Sequence, residues 1–113
     1  MIYLTHIYFI NSNYLSIGEK NSDNTGFANC SQLVKVFLPD TVKIIGDYAF
    51  VDCINLETIN LNDNIYYIGE RAFGARAGIN NPSLKTNISH LPSNLTYLGP
   101  YAFYNGGRNI TIS

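Results

Sequence analysis

Two cysteines and two histidines are the side chains best suited to metal or redox chemistry in this chain of 113 residues. Cys30 and Cys53 have no further Cys or His at the spacing of zinc ligands. His6 and His90 lack a Cys, Asp or Glu at ligand spacing, and no Ser lies in a nucleophile motif. We therefore expect no metal, no cofactor and no catalytic site, and we predict that the protein is not an enzyme.

Acidic residues recur along the chain at points where the pattern indicates corners, and Asp commonly hydrogen-bonds its own backbone in turns. A calcium ladder would need a dense Gly/Asp nonapeptide pattern, and phosphate binding would need a glycine-rich loop. Neither pattern is present, so turn chemistry accounts for these residues. They are Asp40, Asp47, Asp52, Asp63 and Glu70.

The overall charge and the N-terminal segment exclude several classes of function. A formal net charge of -1 gives no basic surface for nucleic acid. The first ten residues lack a cationic region and a cleavage pattern, so we predict no signal peptide, and no apolar run reaches the roughly 18 to 20 residues of a membrane span. The sequence specifies neither the compartment of the protein nor whether its four Asn-x-Ser/Thr sequons are glycosylated. The sequons are at Asn29, Asn87, Asn94 and Asn109.

A repeat with four Ile/Leu-Gly anchors organises the chain, and it must position the side chains considered above. The glycines of these anchors are Gly18, Gly46, Gly69 and Gly99. An Ala-Phe step follows the last three, and apolar residues recur one, four, eight and ten positions before the glycine, including Tyr8 and Ile10 in the first copy. Two neighbouring anchors give a period of 23 residues, with insertions in the other intervals. A fixed period of this length predicts a solenoid.

Each copy contains the elements of one solenoid coil. Residues 33–38 and 56–61 read as short strands, which we expect to pair in parallel with the same strand of the next coil. Proline after the strand marks one corner and the glycine a second corner, and the Ala-Phe step is expected on a short helical or 3-10 turn. Four phenylalanines should then stack as a core column, namely Phe27, Phe50, Phe73 and Phe103.

Residues 33–53 closely resemble the BspA-like leucine-rich repeat. The motifs that carry the resemblance are Leu33, Leu38-Pro39, Val42, Ile45-Gly46, Ala49-Phe50 and Cys53. The resemblance covers residues 5–106 and implies a right-handed, strand-rich solenoid of surface-associated proteins, some linked to adhesion and to binding of host matrix proteins. The sequence departs from the pattern where Arg76 and Gly106 replace Cys and where residues 19–25 interrupt the first copy.

Cys30 and Cys53 have the same phase, since each lies three residues after the Phe of its copy. They should therefore lie on adjacent coils. A disulfide is one alternative, and a pair of buried thiols acting as small apolar side chains is the other. The family resemblance favours the thiols, because the cysteine at this position is normally unpaired.

The outward phase of the strands is the candidate protein-binding face, because solenoids present their regular sheet as an extended platform. Its residues are Lys35, Phe37, Thr58, Asn60 and Thr86. The insertion at residues 76–82 is a second candidate, since loops that interrupt an array often carry function. His90 belongs to another insertion and is expected on an exposed bulge.

We therefore expect residues 1–113 to form one leucine-rich-repeat array of about four coils with a truncated final strand, in which Ile112 takes the phase of Ile59. The favoured function is a non-enzymatic protein-interaction module, with adhesion or host-protein binding at a cell surface as the role implied by the resemblance. The alternative is a structural spacer or self-assembling repeat fragment with no specific ligand, because an uncapped coil favours end-to-end self-association.

Overall fold

The computed structural model describes residues 6–8, 16–18, 26–74 and 91–103. Within these ranges the chain forms short strands and no helix. The strands are β1 (His6–Tyr8), β2 (Ser16–Ile17), β3 (Lys35–Phe37), β4 (Ile44–Ile45), β5 (Thr58–Ile59), β6 (Tyr67–Ile68) and β7 (Tyr97–Leu98).

The strands form two parallel sheets, and successive coils add one strand to each. The first sheet has the order β1-β3-β5 and the second has the order β2-β4-β6-β7. Lys35 pairs with Thr58 in the first sheet and Ile44 pairs with Tyr67 in the second, 23 residues apart in both cases. This arrangement confirms the predicted leucine-rich-repeat coil with parallel strands.

The register of the first coil differs from the sequence prediction by one residue. Counting back from Gly18 gives Tyr8 the inward phase, but β1 pairs Ile7 with Val36 and Tyr8 with Phe37. Ile7 packs against the core, so the predicted register of the first strand was wrong. The first coil carries one extra residue between its strand and its glycine, and a shift of one residue moves every side chain to the opposite face of a strand. Ile10 lies outside the described residues.

The Ala-Phe step lies in a series of tight turns. Ala49 and Val51 donate their N–H groups to the carbonyls three residues earlier, each at 3.2 Å. Tyr48 and Asp52 have positive φ angles of 60°, and these left-handed residues prevent a continuous helix. The turn is therefore present, but a helix is not. The direction of the N–H groups alternates along the turn, because those of Tyr48 and Phe50 donate instead to carbonyls of the next coil, each at 2.8 Å.

Phenylalanine rings stack along the array inside these turns. Phe27 and Phe50 have ring centroids 5.6 Å apart, and both Phe50 with Phe73 and Phe73 with Phe103 are 5.4 Å apart. Phe50 and Phe73 are fully buried. The rest of the core comes from aliphatic residues on the inner faces of the strands and corners, including Leu33, Val36, Val42, Ile45, Leu56, Ile59, Ile65 and Ile68.

Close approach of backbones explains the glycine after the second strand. A Cβ on Gly69 would lie 2.5 Å from the nitrogen and 2.7 Å from the Cα of Asp47 in the preceding coil. A Cβ on Gly99 would lie 2.6 Å from the carbonyl carbon of Gly69. Gly18 instead has a positive φ of 75°. The glycine column thus allows neighbouring coils to pack at this corner without a steric clash.

Asparagine side chains form a further set of bonds between coils. The Asn60 amide accepts from the Leu38 N–H at 2.6 Å and donates to the Leu38 carbonyl at 2.9 Å. Asn62 donates to the Val42 carbonyl at 3.2 Å in the same direction. These contacts satisfy backbone groups at the end of β3 and beyond it, where the strand ladder has stopped.

Replacing Phe50 with Ala should destabilise the fold by about 3 to 5 kcal/mol, because it leaves a cavity in the middle of the ring column. Phe37→Ala is the matched control, since Phe37 is 39% exposed, and its cost should be about 1 kcal/mol or less. Denaturant unfolding measures both values. Equal losses of stability would contradict the role of the column.

Asn60→Asp should lower the unfolding free energy by about 1 to 3 kcal/mol, because the carboxylate keeps the acceptor but loses the donor that faces the Leu38 carbonyl. Asn64→Asp makes the same chemical change on an exposed residue and should alter stability by about 0.5 kcal/mol or less. Urea titrations of the two variants under identical conditions provide the comparison. A similar midpoint for both would show that the Asn60 contact contributes nothing.

Candidate functional site

The outer surface of the first sheet carries two rows of outward side chains. Strand pairing aligns His6, Lys35 and Thr58 in one row, and all three are exposed. Phe37 belongs to the second row and is 39% exposed. Val36 lies between Lys35 and Phe37 with its side chain fully buried, so the strand anchors both neighbours to the core. We call His6, Lys35, Phe37, Thr58 and Asn60 the strand face.

His6 was missed as a member of this face. From the sequence, His6 was a candidate only for a metal or catalytic role, whereas in the structure it pairs with Lys35. The sequence nevertheless contains a signal for this position. When Leu4 is aligned with Leu33, the offset equals that of the observed strand pairing, and His6 aligns with Lys35.

Asn60 is exposed on the strand face, but its amide is engaged by the backbone of Leu38. Its polar atoms therefore join coils, and its contribution to a partner surface is steric. Thr86 lies outside the described residues, as do His90 and the insertion at residues 76–82. The described part of the candidate face consists of its first three strands.

Acidic residues outside the strands also bond between coils. The buried Asp47 carboxylate accepts from the Tyr67 hydroxyl at 2.8 Å and from the Glu70 N–H at 3.1 Å, both in the next coil. Asp63 similarly accepts from the Ser93 N–H at 3.0 Å. These bonds extend the expected turn role of the carboxylates, because they join consecutive turns to one another.

A second exposed surface lies along β7, at one end of the strand order of the second sheet. Tyr97, Leu98 and Tyr101 are 43%, 44% and 56% exposed, and we call them the β7 face. Tyr97 stacks on Tyr67 of the preceding coil with ring centroids 4.6 Å apart. The Arg71 guanidinium lies 4.4 Å from the ring centroid of Tyr101, a cation–π contact that orients this ring.

The two cysteines are free thiols on adjacent coils. Cys53 is buried, and its thiol donates to the Phe27 carbonyl at 3.0 Å, whereas Cys30 is half-buried. Burial raises the pKa of Cys53 to about 12, opposed by a hydrogen bond from the Cys30 backbone. Burial also raises the pKa of Cys30, opposed by its hydrogen bond with the Cys53 side chain. Both groups are therefore thiols at neutral pH, and their nucleophilic reactivity is low.

The described ranges contain no group of three or more His, Cys, Asp and Glu residues close enough to hold a metal ion. They also contain no helix with the length and apolar character needed to cross a membrane. Among the described residues, the exposed large apolar side chains lie on the strand face and the β7 face.

Comparison with known proteins agrees with this architecture. No curated protein sequence matches the chain. The crystal structure of a T. pallidum leucine-rich repeat protein is similar to it, with a TM-score of 0.57 and 24% sequence identity over 87% of this chain and 51% of that one. The chain therefore spans about half the length of that protein, and the similarity shows the shared fold. The family described as BspA type leucine rich repeat region (6 copies) matches residues 3–113. This chain belongs to the BspA-type leucine-rich-repeat family.

Proposed function

We propose that the chain is a non-enzymatic protein-interaction module whose strand face contacts the partner. The observation that carries this proposal is the exposed pair of Phe37 and Lys35 on β3, the central strand of the first sheet. Repeat solenoids bind partners on such extended surfaces. Aromatic side chains, including Phe, are enriched in protein interfaces.

The rigidity of β3 supports the choice of this face. The strand pairs with β1 on one side and β5 on the other, and Val36 anchors it to the core. Phe37 and Lys35 are therefore held on a fixed backbone before a partner arrives. Binding then loses little backbone entropy, which favours affinity.

The class of partner that we propose is a protein of a host surface or of the extracellular matrix, so that the module would serve adhesion at a cell surface. Membership of the BspA-type family supports this role. The net charge of -1 favours recognition by local contact over long-range electrostatic steering. A partner with an apolar pocket for Phe37 and a carboxylate for Lys35 fits the strand face.

A panel of purified matrix and cell-surface proteins, measured by surface plasmon resonance, tests the proposal. The double variant Lys35→Ala/Phe37→Ala should weaken binding to any partner by at least roughly 10-fold. The matched control is Lys43→Ala/Tyr97→Ala, which removes an exposed cation and a 43% exposed aromatic ring outside the strand face. Equal affinity of the wild-type chain and the strand-face variant, or an equal loss in the control, would refute this site.

The β7 face supports a second candidate function, the assembly of copies of this chain end to end. Tyr97 repeats the position of Tyr67, and Leu98 repeats that of Ile68, so a coil added at this edge would find the same stacking and pairing partners. Exposed strand edges with apolar neighbours favour such association. In this reading the array is a spacer or assembly element without a specific ligand.

Sedimentation equilibrium over a range of micromolar concentrations distinguishes the second function. The wild-type chain should show a mean mass that rises with concentration, and Leu98→Asp should abolish the rise by introducing a charge at the contact. Thr58→Asp, an exposed change on the strand face, should leave the association unchanged. A monomeric mass at every concentration rules out assembly and leaves the binding function as the sole proposal.

A further inference from the structure

The thiols of Cys30 and Cys53 lie on turns that the backbone holds side by side. The Phe27 N–H donates to the Ala49 carbonyl at 2.7 Å, and the Asn29 N–H donates to the Val51 carbonyl at 2.8 Å. These bonds align the turns up to Asn29, one residue before Cys30, and Val51, two residues before Cys53. The Cys53 thiol donates to the Phe27 carbonyl, in the turn that carries Cys30, at 3.0 Å.

The spacing of these coils matches the requirement of a disulfide. The rings of Phe27 and Phe50, three residues before the cysteines, have centroids 5.6 Å apart. Disulfides join residues whose Cα atoms are roughly 4.4 to 6.8 Å apart. A Cα separation of Cys30 and Cys53 equal to this ring spacing falls in that range, and the bond between the sulfurs would then need side-chain rotation and no rearrangement of the coils.

We propose that Cys30 and Cys53 form a reversible dithiol/disulfide pair that joins the first two coils covalently when a disulfide oxidant is present. Formation of the sulfur–sulfur bond removes the hydrogen bond from the Cys53 thiol to the Phe27 carbonyl and replaces it with a covalent link. The bond closes a loop of about one coil and restricts the unfolded chain, which stabilises the folded array.

The reaction with oxidised glutathione proceeds in two exchange steps. The thiolate of the half-buried Cys30 attacks one sulfur of the oxidant, forms a mixed disulfide and releases one glutathione thiolate. The Cys53 thiolate then attacks the Cys30 sulfur and releases the second glutathione thiolate. The two protons lost by the protein thiols are taken up by the two glutathione thiolates, so one dithiol and one oxidant give one protein disulfide and two reduced glutathiones.

The environment of the pair makes this exchange slow at neutral pH. Burial raises the pKa of both cysteines, and the Asp52 carboxylate raises that of Cys53 further. The thiolate fraction of each cysteine therefore grows tenfold per pH unit below its pKa. The rate of mixed-disulfide formation should increase about 30-fold between pH 7.0 and pH 8.5.

Oxidation of the intact folded chain with a glutathione redox buffer, followed by acid quenching, alkylation and mass spectrometry, tests the proposal. The expected product is a monomer about 2 Da lighter than the dithiol, and it carries neither glutathione nor the alkylating group. Its denaturant midpoint is higher than that of the dithiol and returns to the original value on reduction. Cys53→Ser should stop at the mixed disulfide on Cys30. Cys30→Ser should remain unmodified while folded, because Cys53 is buried.

Three results would overturn the pair: a wild-type product that stops at the mixed disulfide, a disulfide found only between two chains, or an intrachain disulfide formed only in denaturant. Each would mean that the folded turns hold the two sulfurs apart. The readout is covalent and needs no binding partner, so its failure leaves the proposed function of the strand face untouched.

Discussion

Parallel pairing between equivalent residues of adjacent coils is the constraint on which the rest of the structure depends. The backbone of one coil can bond to the next along two sheets and a turn only if both follow the same path. Asp47 N–H and Cα, for example, lie where a Cβ on Gly69 would project. The same requirement places like on like through the core, so rings stack on rings and aliphatic side chains on aliphatic side chains.

Much of the fold is predictable from the sequence because burial repeats with the coil. Glycine and apolar residues at constant offsets identify the solenoid and its family, and the residues on the inner phase of the second and third coils are buried in the structure, except that Leu61 is partly buried. The first coil was harder, since a single added residue between strand and glycine leaves the apolar count intact but moves Ile7 inward in place of Tyr8. Offsets measured from one anchor cannot detect where an insertion falls.

The candidate site was less predictable than the core for a related reason. An exposed side chain is not constrained by stacking, so its position in the repeat shows that it faces outward but not what it bonds to. Asn60 illustrates this, because its amide engages the Leu38 backbone of the coil before it. His6 reaches the strand face only in the register observed here. Recognition of a partner depends on the contacts of such surface residues, and periodicity predicts that they face outward but not what they contact.

The strands run perpendicular to the axis along which the coils stack, and this direction has a mechanical consequence. Every ladder, ring stack and asparagine bond described here joins a coil to its neighbour along the array axis. A force that pulls the two ends apart along this axis therefore loads one inter-coil contact at a time, as in peeling, and does not shear several strands together. Each coil that yields releases about 80 Å of extended chain. We therefore expect the array to lengthen in steps under load.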